Sequence, residues 1–341
     1  MSKSLRYSFL ALILVGSLSS AMAKPSVSEG TTRPAVGCQH LITPEGLELG
    51  VWYPSLGTSE SQMLGPYAQK CVVNGPLQGE NHALIVISHG TGGSWTSHLD
   101  TAAALAQAGY VVMALTEPGD NWRDTTRVTD LAGRTRAMST ALSYMLSAWP
   151  LSGHLDRNRI GAFGFSAGGL TALLAAGARP DLTRIGPWCA AHAASFTCAL
   201  IHKQGSPVNT RLPALQDRRF KAMAIAAPAL GFTMTRASLS PVTLPVQLWQ
   251  AMDDTILSSP GSVEPVRDNL PSSPEFHEVS RAGHFVFLAP CRTGFEAMAI
   301  CQSLPGFDRS KFHEAFNAAM RRFFDRTLLG GTEQSAGMPT R

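Results

Sequence analysis

Gly164-Phe165-Ser166-Ala167-Gly168 stands between an apolar run, 160–165, and a helix-like run, 167–178, with Leu170, Leu173 and Leu174 on one side. This G-x-S-x-G pattern, in strand–turn–helix context, constrains the chain more than any other feature. A serine in so sharp a turn sits in strained backbone geometry, and glycines two residues to either side let strand and helix pack closely. The turn lifts the hydroxyl into the crevice at the carboxyl ends of the strands, beside the positive end of the following helix. Ser166 is therefore the candidate nucleophile. A dinucleotide-binding loop does not fit: G-x-G-x-x-G fails at Gly164, followed two residues on by Ser166, and at Gly90 and Gly92, where the third position is Trp95.

Around this feature strand and helix periodicities alternate. Residues 47–53 read as an edge strand, and 83–88 and 110–115 as continuous apolar runs, the mark of strands covered on both faces. Residues 101–108 read as a helix; a second helix places Met138, Leu142, Met145, Leu146 and Trp149 on one face. Three more strands are expected at 221–226, 246–251 and 276–279. A closing helix at 308–329 carries Phe312, Phe316, Met320 and Phe323. The alternation predicts an α/β fold, a mostly parallel sheet with helices on both faces, in one domain spanning 24–341. Residues 24–45 and the tail 331–341 are expected to be irregular. The stretch 181–219, with Trp188, Cys189 and Cys198, breaks the alternation and is expected to form a lid insertion.

Composition narrows the function classes. At 44% hydrophobic and 15% charged the chain is not a disordered one. With 28 basic against 24 acidic side chains and no Lys/Arg run longer than two, nothing suggests a nucleic-acid partner. Lys3 and Arg6 precede an apolar run, 8–18, that ends in Ala21-Met22-Ala23, so residues 1–23 read as an export signal. The run is too short to span a bilayer, which takes about 20 residues, and no membrane anchor is expected after cleavage. Export makes disulfides the expected state of the six cysteines, and nearest-neighbour pairing, 38–71, 189–198 and 291–301, is the simplest connectivity. The reading is a periplasmic or secreted protein.

The other parts of a serine-nucleophile site are also present. His89-Gly90-Thr91-Gly92-Gly93 follows the strand at 83–88, where a loop N–H would join that of the residue after the nucleophile to bind an oxyanion. Thr91 and Ala167 are the expected donors, and His89, which precedes the serine, is expected to have a structural hydrogen-bonding role. Acid and base should follow in that order. Asp253 and Asp254 end the strand at 246–251, and Thr255-Ile256-Leu257 after Asp254 favours Asp254 as the acid. His284, in Ala282-Gly283-His284-Phe285, is the expected base; His192, His202, His277 and His313 are weaker rivals. No metal-binding or P-loop motif occurs, and no cofactor is expected.

These blocks, with Val51-Trp52-Tyr53-Pro54, Pro118-Gly119-Asp120-Asn121 and Val286-Phe287-Leu288, make nearly the whole mature region resemble the α/β-hydrolase superfamily. More narrowly, it resembles secreted bacterial dienelactone-hydrolase-like proteins, themselves similar to platelet-activating-factor acetylhydrolases. The resemblance implies a triad of Ser166, Asp254 and His284 with donors at Thr91 and Ala167. It also implies hydrolysis of a small-molecule or lipid ester with a short acyl group. Dienelactone hydrolases proper use a cysteine where this chain has Ser166, so that name does not specify the substrate. A peptidase or amidase on the same triad, and a non-catalytic extracellular binding module, are the alternatives. The sequence is silent on oligomeric state.

Overall fold

The computed structural model describes residues 35–204 and 211–330; the expected export signal and the tail at 331–341 lie outside them. Ten strands form one sheet: β1 (Ala35–Ile42), β2 (Glu48–Ser55), β3 (Glu60–Leu64), β4 (Tyr67–Val73), β5 (His82–Ser88), β6 (Val111–Thr116), β7 (Leu155–Phe165), β8 (Phe220–Ala226), β9 (Val246–Ala251) and β10 (Glu275–Val279). Their spatial order is β10-β9-β8-β7-β5-β6-β2-β1-β4-β3. From β10 to β6 every neighbouring pair is parallel, whereas β2 pairs antiparallel with both β6 and β1. The chain leaves β5 for β6 on one side and returns to β7 on the other. The crevice of such a switch point opens at the carboxyl ends of β5 and β7, which are in register at Ser88 and Gly164.

The helices are α1 (Leu99–Gln107), α2 (Leu131–Ser147), α3 (Ala167–Ala175), α4 (Ile185–Ala191), α5 (Phe196–Gln204), α6 (Arg236–Leu239), α7 (Glu264–Asn269) and α8 (Arg309–Leu328). Alternate residues of β5 enter opposite cores, which explains its unbroken apolar run. Leu84 and Val86 pack with Met138, Leu142 and Met145 of α2 and with Leu170 and Leu173 of α3. Ile85 and Ile87 share the other core with Leu105 of α1 and with Phe316, Met320 and Phe324 of α8. The expected sheet, mostly parallel with helices on both faces, is thus observed.

Three expectations are corrected. Residues 47–53 belong to β2, which is an interior strand, because β1, β4 and β3 continue the sheet beyond it. Part of the stretch expected to be irregular is β1, whose Val36 and Cys38 are buried. The β3–β4 hairpin has no counterpart among the expected elements: its strands expose Glu60, Ser61 and Lys70 and carry no continuous apolar run. The insertion expected at 181–219 contains two short helices, α4 and α5, joined by the Cys189–Cys198 disulfide. The remaining cysteines are bonded as Cys38–Cys71 and Cys291–Cys301, and three disulfides fit an oxidising compartment. Among the described residues no helix is long and apolar enough to cross a membrane.

Candidate active site

Ser166 sits between β7 and α3 at φ 56°, ψ −117°, a left-handed conformation that a non-glycine residue holds only under tertiary constraint. The flanking glycines show the constraint. A Cβ on Gly164 would lie 2.2 Å from the Gly168 carbonyl oxygen, and one on Gly168 would lie 1.9 Å from the Ser88 carbonyl oxygen. The end of β5, the end of β7 and the first turn of α3 therefore meet backbone to backbone. The Ser166 N–H donates to Ala226 O at 2.9 Å and its carbonyl accepts from Ala229 N–H at 3.0 Å, which ties the turn to the end of β8 as well.

Ser166 Oγ lies 3.0 Å from His284 Nε2, and His284 Nδ1 lies 2.6 Å from Asp254 Oδ2. The Nδ1–H donates to the carboxylate, which leaves Nε2 as the acceptor of the serine proton. All three residues are buried. The second Asp254 oxygen accepts the N–H groups of Ile256 at 2.9 Å and Leu257 at 2.8 Å, so the turn after β9 fixes the carboxylate in place. Asp253 points outward and is exposed. The structure thus joins Ser166, His284 and Asp254, residues from three separate turns, and leaves Asp253 aside.

Thr91 and Ala167 line the same pocket as Ser166. Ala167 is the first residue of α3, where an N–H has no acceptor within its helix. The N–H of Gly92 is already engaged, donating to Asp120 Oδ1 at 3.0 Å. Beneath this loop lies a buried charge cluster. Arg134 of α2 donates to Asp120 Oδ2 at 2.6 Å, to Thr171 Oγ1 at 3.1 Å, to Ser88 Oγ at 3.3 Å and to the His89 carbonyl. One guanidinium therefore braces the end of β5, the loop at Asp120 and helix α3. Glu117, fully buried beside it, accepts from Ser88 Oγ at 2.5 Å; burial pushes its carboxyl above the usual range despite the opposing Arg134 charge.

The pocket beside Ser166 is apolar. Leu131, Leu170, Leu230 and Leu257 come from the core domain, while Phe196, Thr197, Leu200 and Ile201 of α5 form one wall. Among the described residues no charged side chain lines it. Trp188 of α4 stacks on Phe232 with ring centroids 4.4 Å apart and rests on Gly261, where a Cβ would lie 2.3 Å from the indole. The disulfide then carries that anchorage from α4 to α5.

Most of the other histidines have structural partners. His89 is buried, with Nδ1–H donating to Gly90 O at 2.6 Å and Nε2 accepting the Glu117 N–H at 3.0 Å. Burial, reinforced by the Arg134 charge, holds its pKa well below the ordinary imidazole value. His277 stacks on Trp249, His192 stacks on Trp188, His202 is exposed, and His313 packs against the turn bearing His284. Sequence reasoning missed Arg134, Asp120 and Glu117 as supports of the loop. One signal was available: Arg134 precedes Met138 by four residues, which puts a cation on the apolar face of α2. Among the described residues no group of His, Cys, Asp and Glu is placed to hold a metal ion.

No protein-family model matches the chain, and no curated protein matches it. Among solved structures it is similar to a ferulic acid esterase from Streptomyces cinnamoneus, with a TM-score of 0.58 and 19% identity over 92% of this chain and 96% of that one. The likeness extends over nearly both whole chains and shows that they share an α/β fold.

Proposed function

We propose that this chain is an exported serine hydrolase of carboxylic esters, with a leader at 1–23 and one hydrolase domain at 24–341. The observation that carries the reading is the hydrogen-bonded line from Asp254 through His284 to Ser166, ending at the mouth of an uncharged apolar pocket. Ser166 Oγ attacks the ester carbonyl as His284 Nε2 takes its proton, and Asp254 stabilises the resulting imidazolium. The oxyanion is received by the N–H groups of Thr91 and Ala167. His284 returns its proton to the departing alcohol, leaving an acyl group on Ser166. Water, deprotonated by His284, then releases the acid and restores the serine.

The lining favours a small apolar acyl group, since a charged one would meet no counter-charge there. The esterase named among the similar structures supports the reaction class. The narrower kinship with dienelactone-hydrolase-like and acetylhydrolase proteins rests on the sequence blocks alone. A p-nitrophenyl ester series from acetate to palmitate, with matched p-nitroanilides, tests the proposal on the native protein and on Ser166→Ala. Ester turnover that is lost in the variant is expected. Equal or faster anilide turnover would make the protein an amidase, and undiminished turnover in Ser166→Ala would remove the serine from the mechanism.

A further inference from the structure

The turn that carries His284 is held by two other histidines. His284–Phe287 is a single 3₁₀ turn, too short to satisfy its own backbone. Its Val286 carbonyl accepts from His313 Nε2 at 2.8 Å, and its Phe287 carbonyl accepts from His98 Nδ1 at 3.1 Å. Just beyond it, Ala289 N–H donates to Ser97 O at 2.9 Å. The turn is therefore docked on the start of α1 and on the second turn of α8.

His313 has a second short contact: its Nδ1 lies 2.6 Å from Asp100 Oδ2. Asp100 also accepts from Asn317 Nδ2 at 3.0 Å. Burial alone would raise the Asp100 carboxyl, but the His313 charge and the bonds from His313 and Asn317 outweigh it and hold the group below the usual range. Asp100 is thus an acceptor, and a peptide carbonyl can only accept. The His313 ring thus bridges the Asp100 carboxylate and the Val286 carbonyl through its two nitrogens, with its side chain 3% exposed. Burial pushes the pKa of His98 down to about 4, and it donates to Phe287 as a neutral ring.

We propose that the bridge from Asp100 through His313 to the Val286 carbonyl is a positioning device for His284, and that His313 is a positioning residue for the reaction. The inference rests on His284 being the base of the hydrolase proposed above. The Asp100 contact at Nδ1 fixes the orientation of the ring, so that Nε2 stays aimed at the carbonyl. Here it grips the backbone two residues beyond the ring whose Nε2 must stay 3.0 Å from Ser166 Oγ.

The test is the steady-state kinetics of His313→Phe, which keeps a ring but no donor, and of Asp100→Asn, which removes the carboxylate. Each is paired with the rate at which an organophosphonate labels Ser166. In His313→Phe, kcat and the labelling rate are expected to fall together by about 10- to 100-fold, as for a misplacement near 1 Å, with KM within about twofold. Asp100→Asn is expected to lose less, again in kcat, because the ring can still donate to Val286. Should His313→Phe not fold, Asp100→Asn carries the kinetic test. Unchanged kcat in a folded variant, or an effect confined to KM, overturns the inference. A native protein that neither hydrolyses any ester nor reacts with the phosphonate overturns the hydrolase reading and this inference with it. An active native enzyme with unaltered variants overturns this inference alone.

Discussion

Gly168 and Ser88 meet backbone to backbone: the Cβ that Gly168 lacks would lie 1.9 Å from the Ser88 carbonyl oxygen. That contact seats the first turn of α3 on the end of β5 and so places Ser166 beside the loop bearing Thr91. Gly168→Ala is expected to destabilise the fold by about 3 kcal/mol or more, since backbone atoms cannot step aside as side chains do. Gly186→Ala is the contrast. Gly186 is exposed within α4, a Cβ there meets nothing, and the change is expected to stabilise by about 0.5–1 kcal/mol. Urea unfolding of both variants checks the pair, and equal effects would contradict it.

Asp254 and Asp253 are adjacent, yet Asp254 alone reaches His284. Asp254→Asn is expected to lower kcat by about 10⁴, because the imidazole loses its tautomer and its counter-charge. Asp253→Asn, at an exposed site, is expected to retain nearly full activity. Circular dichroism and ester turnover on both variants decide the matter; a dead Asp253→Asn protein would reverse the roles.

Leu200 of α5 lines the pocket wall opposite the core residues. Leu200→Ala is expected to shift relative kcat/KM toward longer acyl chains by about tenfold, the scale of a few methylenes' worth of pocket space. Acetate turnover should change little. A profile parallel to the native one across the ester series would mean that α5 does not bound the acyl site.

His98 makes stability depend on pH. Its folded pKa is lowered, chiefly by burial, from the usual 6.5 to about 4. The unfolded chain therefore takes up this proton first as the solution is acidified. Its contribution to stability is complete above pH 6.5 and is lost as pH falls toward 4, with a slope of up to about 1.4 kcal/mol per pH unit. His98→Asn, which can still donate to Phe287, is expected to flatten that part of the stability curve. Urea unfolding at a series of pH values would show it, and an unchanged slope would count against a neutral native ring.

The cysteine pairs at 291–301 and 189–198 are close in sequence, ten and nine residues apart. Replacing Cys291 and Cys301 together by serine is expected to cost roughly 2–3 kcal/mol through the entropy of a loop of about ten residues. Thermal unfolding of the double variant checks this.

The sequence by itself determined the central sheet and the turn at Ser166. Strand segments buried on both faces are mainly apolar, so β5, β6 and the second half of β7, residues 160–165, stand out as runs, and a backbone packed as closely as Gly164 and Gly168 require tolerates no other residue. The order of serine, acid and base along the chain followed from the order of the strand ends that present them. Only the tertiary structure decided the rest. Strands β1, β3 and β4 owe their place to pairing at the edge of the sheet, and their mixed polar residues carry little local signal. Only the chain's path after β9 turned Asp254, and not Asp253, toward His284. Likewise Arg134 and His313 look like ordinary helix residues until folding brings Asp120, Asp100 and the carbonyls of His89 and Val286 to them. A buried charge is held by partners that a linear sequence does not place beside it.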